Sequence, residues 1–386
     1  MKLLLISRHF PNIFGGVSDY TYHLSNALSK EGYEVYVLTS KDEKVINNAG
    51  DKVKVLPVVV RWNFRGLPQI IKEIKEVNPD WILLQYVPHM YSHCAIPVYI
   101  AELSILLCLM RFKLITTFHE IAIRFDLKKP KYWGIAIIER LIAYILCICS
   151  NRVVVSIEYF RKMLKPFKYK IIKMPVGSNV LPYEIPEEEN QNLRKKIAPN
   201  GEFIISTFGS SGYWRRNDIL LKAVKVYLDG MGQDSLKIII IGKASLDIKL
   251  LEMIDKLNLR RVVHLTGILS PEEIYRYLAI SDLFVLIDTD AYGGINIKST
   301  SLASAYAAIL PIIGNRGILT DNFFRDKENI FLINSINIEE ILSAILELVN
   351  NEELRYKLKK GSEETYKNYL SWDRIAEGYE KILNEN

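Results

Sequence analysis

Two kinds of hydrophobic pattern alternate along the whole chain. Short unbroken apolar runs are followed by segments whose apolar residues recur every three or four positions. The first kind suits strands buried on both faces, and the second suits helices packed on such a sheet. In the first half, strands are predicted at 2–7, 34–40, 52–60, 81–87, 112–120, 152–157 and 170–179. Helices are predicted within 15–32, ending at Gly32, at 67–80 between a Pro start and an Asn-Pro stop, and at 95–111 and 133–150. Residues 181–201 are rich in Pro, Glu, Asn and Lys with little apolar periodicity, the composition of a linker. A second series then begins, with strands at 202–209, 236–242, 262–267, 282–288 and 330–335 and helices at 217–229, 246–258 and 271–280. The stretch 291–314 adds a loop, a helix and a strand, and two terminal helices complete the chain.

Alternation of this kind signals parallel α/β sheets. A length of 386 residues exceeds one compact core. The expected fold class is therefore α/β, with two Rossmann-like domains facing each other across a cleft. The expected bounds are 1–180 for the N-terminal domain, 181–201 for the linker and 202–368 for the C-terminal domain. A final helix is expected at 369–386. In such a protein ligands gather at the carboxyl ends of the strands.

Charge changes this picture only by its distribution. The net charge is +6, but residues 1–180 hold 25 Lys+Arg against 14 Asp+Glu, and residues 181–386 hold 25 against 30. The basic half also carries the two most apolar helices. The stretch 95–110 is too short to span a bilayer and contains Glu102, and 133–150 is interrupted by Glu139 and Arg140. Flanked by Arg111, Lys113, Arg124, Lys128, Lys129, Lys131 and Arg152, the pair predicts peripheral contact with an anionic membrane. The plain alternative is two core helices beside solvated cations. The cysteines, Cys94, Cys108, Cys147 and Cys149, lie in apolar segments and read as buried free thiols. The N-terminal "MKLLLIS" is too short for a signal peptide and reads as the first strand. Nucleic-acid binding is excluded as a main reading, because no module or aromatic–basic interleaving supports it.

Four loops at strand ends could carry chemistry. In the first, Gly15 and Gly16 precede a helix whose N-terminus offers unpaired N–H groups to a phosphate or sugar hydroxyl, while Asp19 or Ser18 equally suits a helix cap. In the second, "TTFHE" sets His119 and Glu120 at the end of a strand, where a histidine can donate to a phosphate or a sugar. In the third, Gly209, Ser210, Ser211 and Gly212 are followed by Arg215 and Arg216, which suits a diphosphate held by amides and guanidinium. In the fourth, Gly293 and Gly294 precede Lys298, Ser299, Thr300 and Ser301 at a helix start, a loop suited to a polyanion. Each loop also has a bland reading as a capped turn or a polar surface loop.

Taken in order, these segments resemble the GT-B glycosyltransferases, in particular the retaining family 4. "GGVSDYTYHLSNALSKEGYEVYVLTS", "TTFHE", "MPVGSN", "VVHLTGILSPEEIYRYLAISDLFVLID" and "SWDRIAEGYEKIL" carry the resemblance over nearly the whole chain. It implies a glycosyltransferase that moves a sugar with retention from a nucleoside diphosphate sugar to a glycan or lipid-linked acceptor in polysaccharide or glycoconjugate synthesis. It implies that the final helix at 369–386 crosses back to the N-terminal domain. It implies no cofactor and no metal; together with the basic, apolar N-terminal half, which would fit a lipid-linked acceptor, the expected location is cytoplasmic and peripheral on the inner face of the membrane. "DTD" at 288–290 follows a buried strand and is discounted as a metal motif. By position, His119, Asn296 and Lys298 would be catalytic. Gly16, Gly209, Ser210, Arg215, Arg216, Gly293, Gly294, Ser299, Thr300, Ser301 and Ser304 would bind the donor, and Gly15, Asp19 and Glu120 the acceptor. The family's two glutamates, eight positions apart, fall on Asn296 and Ser304 when Pro311 anchors the pattern, and neither is acidic. That departure keeps a second reading open, a catalytically silent relative that binds a nucleotide sugar or glycan as a partner subunit.

Overall fold

The computed structural model describes residues 1–11, 15–41, 52–125, 130–209, 215–232, 235–291 and 293–385. It divides into two units, Met1–Pro175 with Trp372–Asn386, and Val176–Ser371. In the first unit the strands are β1 Lys2–Ile6, β2 Glu34–Ser40, β3 Val53–Val59, β4 Trp81–Tyr86, β5 Leu114–Phe118, β6 Arg152–Val155 and β7 Ile171–Lys173. All pair in parallel, in the order β3-β2-β1-β4-β5-β6-β7. In the second unit they are β8 Phe203–Phe208, β9 Leu236–Ile241, β10 Val263–Leu265, β11 Leu283–Leu286, β12 Ile312–Asn315 and β13 Phe331–Ile333. These are again parallel, in the order β10-β9-β8-β11-β12-β13. Both sheets run outward in two directions from their first strand, as doubly wound α/β domains do. The switch of direction falls between β1 and β4 in one unit and between β8 and β11 in the other. Strands such as β4 and β5 are buried at every position, so their apolar residues run together rather than alternate, and the polar exceptions Thr116, Thr117 and Gln85 each meet a side-chain partner, Ser150, Tyr379 and His119.

Three expectations need correction. Residues 181–201 are not a bare linker, because Glu187–Ile197 forms a helix within the second unit. Its first turn is Glu187, Glu188 and Glu189 and its last holds Arg194, Lys195 and Lys196, so the charges complement the helix dipole where an apolar stripe is missing. It is tied down by Arg194, which bonds the Ile280 carbonyl (2.5 Å) and Asp282 (2.8 Å). The strand expected over 170–179 stops at Lys173. Beyond Pro175 the chain belongs to the second unit, where the Val176 amide reaches Ile297 O and the Ser178 amide reaches Leu370 O. Of the four thiols, Cys147 alone is fully buried, while Cys94 and Cys108 are exposed.

The helix Trp372–Asn384 packs within the first unit. Its Tyr379 hydroxyl lies 2.7 Å from Thr117 Oγ1 and 3.2 Å from the Tyr20 hydroxyl, all three groups buried. Trp372 stacks on His23 at 5.2 Å and meets Tyr20 edge-on.

One segment, Pro130–Cys149, is by length and composition apolar enough to cross a membrane, with 20 residues and a mean hydropathy of 1.7. Glu139 and Arg140, expected to disqualify it, are turned into the unit instead. Glu139 is buried and accepts the Ile123 amide at 2.8 Å, and Arg140 donates to the Ile123 carbonyl. The outward stripe of Ile137, Ile138, Leu141 and Ile148 carries no charge. Beside it runs the helix Val98–Leu109, which exposes Ile105 and Leu109 and also Glu102.

Candidate active site

In the second unit the carboxyl ends of β8 and β11, the switch-point strands, carry the densest group of functional side chains. Gly209 directly follows β8 with φ +137°. A Cβ there would stand 2.9 Å from Ser301 Oγ and 3.8 Å from Arg215 Nη2, so glycine lets the helix start Ser299–Ser301 approach the strand end. Asp288, two residues past β11, accepts Arg215 Nη1 at 2.8 Å; the carboxylate is sealed from solvent and the guanidinium side chain keeps a small exposed edge (1% and 12% exposed). Arg215 Nη2 lies 3.5 Å from Ser299 Oγ. Ser299 in turn caps the helix Thr300–Ala307 by accepting the Leu302 amide. Burial pushes the Asp288 carboxyl up to about 6, against the pull of Arg215 and then Lys298.

The loop into that helix is set by backbone contacts. Gly293 and Gly294 have φ +100° and +76°. A Cβ on Gly294 would stand 2.5 Å from the Gly317 amide nitrogen. The Ile295 amide bonds Asn315 O (3.1 Å), and Leu319 N bonds Gly293 O (2.9 Å). Asn296 is fully buried, with Nδ2 on Gly294 O (3.3 Å) and Oδ1 without a partner. Ser304 is buried in the helix and donates to Thr300 O at 2.8 Å. Gly209, Arg215, Ser299, Ser301 and Asp288 therefore form one cluster with Lys298 beside it, whereas the Ser304 hydroxyl is used by its own helix backbone and by Ser178, which donates to it at 3.4 Å. Arg216 turns aside into a two-bond pair with Asp218 (2.8 and 2.9 Å), which raises its already high pKa. Ser210 lies outside the described residues.

The first unit carries the other candidates. His119 follows β5, its amide bonds Tyr86 O (3.0 Å) and its Nε2 lies 2.9 Å from Gln85 Oε1. The Tyr20 ring meets the imidazole edge-on at 4.6 Å. Gly15 and Gly16 are exposed, and among the described residues no atom lies within 4 Å of a would-be Cβ on either. Asp19 lies in the first turn of the helix Gly16–Lys30 and Glu120 is exposed. Asp288, Asn315 and Gln85 are absent from the sequence-derived candidates. For Asp288 the available signal was an acid ending a buried apolar strand.

Family models match both units. "Glycosyltransferase Family 4" covers residues 14–174 and "Glycosyl transferases group 1" covers 189–365, so each candidate cluster falls inside a glycosyltransferase domain. The chain is a GT-B glycosyltransferase. Among curated proteins the glycosyltransferase is similar to an O-antigen chain mannosyltransferase C of Escherichia coli, with 21% identity over 98% of this chain and 97% of that one. It is also similar to a Staphylococcus aureus poly(ribitol-phosphate) alpha-N-acetylglucosaminyltransferase, at 25% identity over 44% of this chain and 33% of the relative. Among solved structures, Anabaena Alr3699/HepE in complex with UDP and glucose superposes with a TM-score of 0.73 at 14% identity, over 99% of both chains. WaaG, a glycosyltransferase involved in lipopolysaccharide biosynthesis, superposes at 0.66 and 12% identity over both whole chains. At these identities the superpositions establish the fold.

Proposed function

We propose that the enzyme transfers a sugar, with retention at the anomeric carbon, from a nucleoside diphosphate sugar to a glycan or lipid-linked acceptor in cell-surface polysaccharide synthesis. The observation that carries this reading is the cluster at the β8–β11 switch point, where a buried guanidinium, a glycine and a hydroxyl-lined helix start converge. Such a group offers charge and N–H donors to a diphosphate, the species whose charge grows as the sugar departs. Lys298 adds a second cation beside it. In the first unit, His119 held by Gln85 would contact the transferred sugar. The curated relatives' activities, on O-antigen chains and poly(ribitol-phosphate), support a surface-polymer acceptor.

The exposed apolar residues Ile137, Ile138, Leu141 and Ile148, together with the exposed cations Arg111, Lys113 and Lys131 of the same unit, support peripheral membrane contact on the acceptor side, hence a cytoplasmic enzyme resting on the membrane's inner face. The test of the main reading is a thermal-shift panel of UDP, GDP, ADP and TDP, followed by incubation with the sugar nucleotides of whichever base binds. A product of retained anomeric configuration supports it, and no binding by any of the four refutes it. A second reading, a silent sugar-nucleotide-binding subunit, is favoured by Asn296 and Ser304 standing where the family has glutamates. Tight nucleotide binding without hydrolysis or transfer would select it.

A further inference from the structure

Three carboxylates are buried outright among the described residues: Glu139, Glu202 and Asp288. Glu139 accepts an amide at 2.8 Å, and Glu202 accepts the Asn200 amide while facing Lys237 at 3.4 Å. Asp288 is different. Its Oδ1 takes Arg215 Nη1, but its Oδ2, shut off from water, has no partner, and neither does Arg215 Nε. Its backbone is meanwhile fixed on both sides by one side chain, for Asn315 Oδ1 accepts the Asp288 amide (2.8 Å) and Asn315 Nδ2 donates to the Asp288 carbonyl (2.9 Å). Asn315 is itself fully buried at the end of β12. A buried ion pair that leaves hydrogen-bonding capacity unused on both partners is a poor stabiliser of the fold. As a rigid mount for a guanidinium it makes sense.

We propose that Asp288 is a positioning residue, fixing Arg215 by one corner so that its Nη2 edge points at the donor diphosphate beside Ser299 and Ser301. The inference rests on the donor reading given above. It assigns the aiming of the cation to an acid that precedes the glycine loop, outside the positions Asn296 and Ser304. The guanidinium is planar, so capture of Nη1 fixes the direction of Nη2 as well. Without Asp288 the long arginine side chain would have to be ordered when the donor binds, which at the usual cost of immobilising one flexible side chain weakens binding by roughly tenfold.

A double-mutant cycle on the full chain tests this, using titration calorimetry with the nucleoside diphosphate that shifts the melting temperature most. Asp288→Ala should weaken binding about tenfold, and Asp288→Asn less, because the amide oxygen still accepts from Nη1. In an Arg215→Ala background both effects should vanish, since an acid that acts through Arg215 has nothing left to aim. A loss of the same size in both backgrounds, or unchanged binding by Asp288→Ala, overturns the proposal. Should Asp288→Ala fail to fold, Asp288→Asn in the two backgrounds makes the same comparison. A wild-type chain that binds none of UDP, GDP, ADP or TDP overturns the donor reading and this inference with it. Loss of binding on Arg215→Ala with none on Asp288→Asn or Asp288→Ala overturns this inference alone.

Discussion

Replacing Gly294 with alanine tests whether the loop carrying Lys298 to Ser301 is held by a backbone-to-backbone fit. Gly294 has φ +76°, and an added Cβ would stand 2.5 Å from the Gly317 nitrogen, 2.7 Å from Arg316 C and 2.7 Å from Gly317 Cα. None of these atoms can rotate aside, so the two loops must part by about 1 Å to restore ordinary contact. Parting strains Ile295 N to Asn315 O and Leu319 N to Gly293 O. Each such bond contributes about 1 kcal/mol, and the left-handed backbone adds ~1 kcal/mol for a residue with a Cβ, giving a cost of roughly 3 kcal/mol. The same unit holds an internal control. Gly267 has φ +75° and no atom within 4 Å of a would-be Cβ, so Gly267→Ala meets the backbone term without the collision. At ~2–4 °C per kcal/mol for a unit of this size, melting of the second unit should fall by roughly 6–12 °C for Gly294→Ala and about 2–4 °C for Gly267→Ala. Differential scanning calorimetry reads both. Equal shifts would refute the fitted-loop account.

Further outcomes are expected. Tyr379→Phe leaves Thr117 and Tyr20 without their shared buried hydroxyl and should cost the first unit about 1–2 kcal/mol in urea unfolding. His119→Ala should lower kcat of sugar transfer, measured with the sugar nucleotide of whichever base binds, and an unchanged kcat would refute its contact with the sugar. The Asp288 carboxyl sits at about 6, above its ordinary 3.8, so from pH ~4 to ~6 the folded chain holds a proton the unfolded chain has released. Its contribution therefore weakens stability as pH rises through that window and is level above it. Relative to Asp288→Asn, the wild type should lose up to about 3 kcal/mol between pH 4 and 7, measured by urea midpoints, and equal pH profiles would refute the shift. Leu141→Glu places a charge in the exposed apolar stripe and should abolish sedimentation with vesicles containing phosphatidylglycerol while leaving nucleotide binding intact.

Both sheets could be read from the residues because strands buried on two faces cannot alternate. The runs "WILL" in β4 and "IIII" in β9 show no alternating polar position because both faces of each strand are covered. The helix Glu187–Ile197 escaped because its stability rests on terminal charges and on anchors to Ile280 and Asp282, some 86 to 88 residues away. The glycine loops were legible as loops, but what each glycine meets was not. Gly294 is opposed by Gly317, whereas Gly15 and Gly16 oppose nothing among the described residues. Asp288 and Asn315 stayed hidden for the same reason as the helix. Their partners lie 73 and 27 residues away, and the pairing exists only once β8, β11 and β12 stand side by side.

The helix Trp372–Asn384 completes the unit that begins at Met1, after a run of roughly 200 residues that forms the other unit. On a ribosome adding about 5–20 residues per second, Tyr20, His23 and Thr117 wait roughly 13–70 s for Tyr379 and Trp372 to be added. During that interval the nascent first unit shows its unfilled aromatic seat to chaperones, and because Trp372 directly follows Ser371, the last residue of the second unit, the two units reach completion almost together.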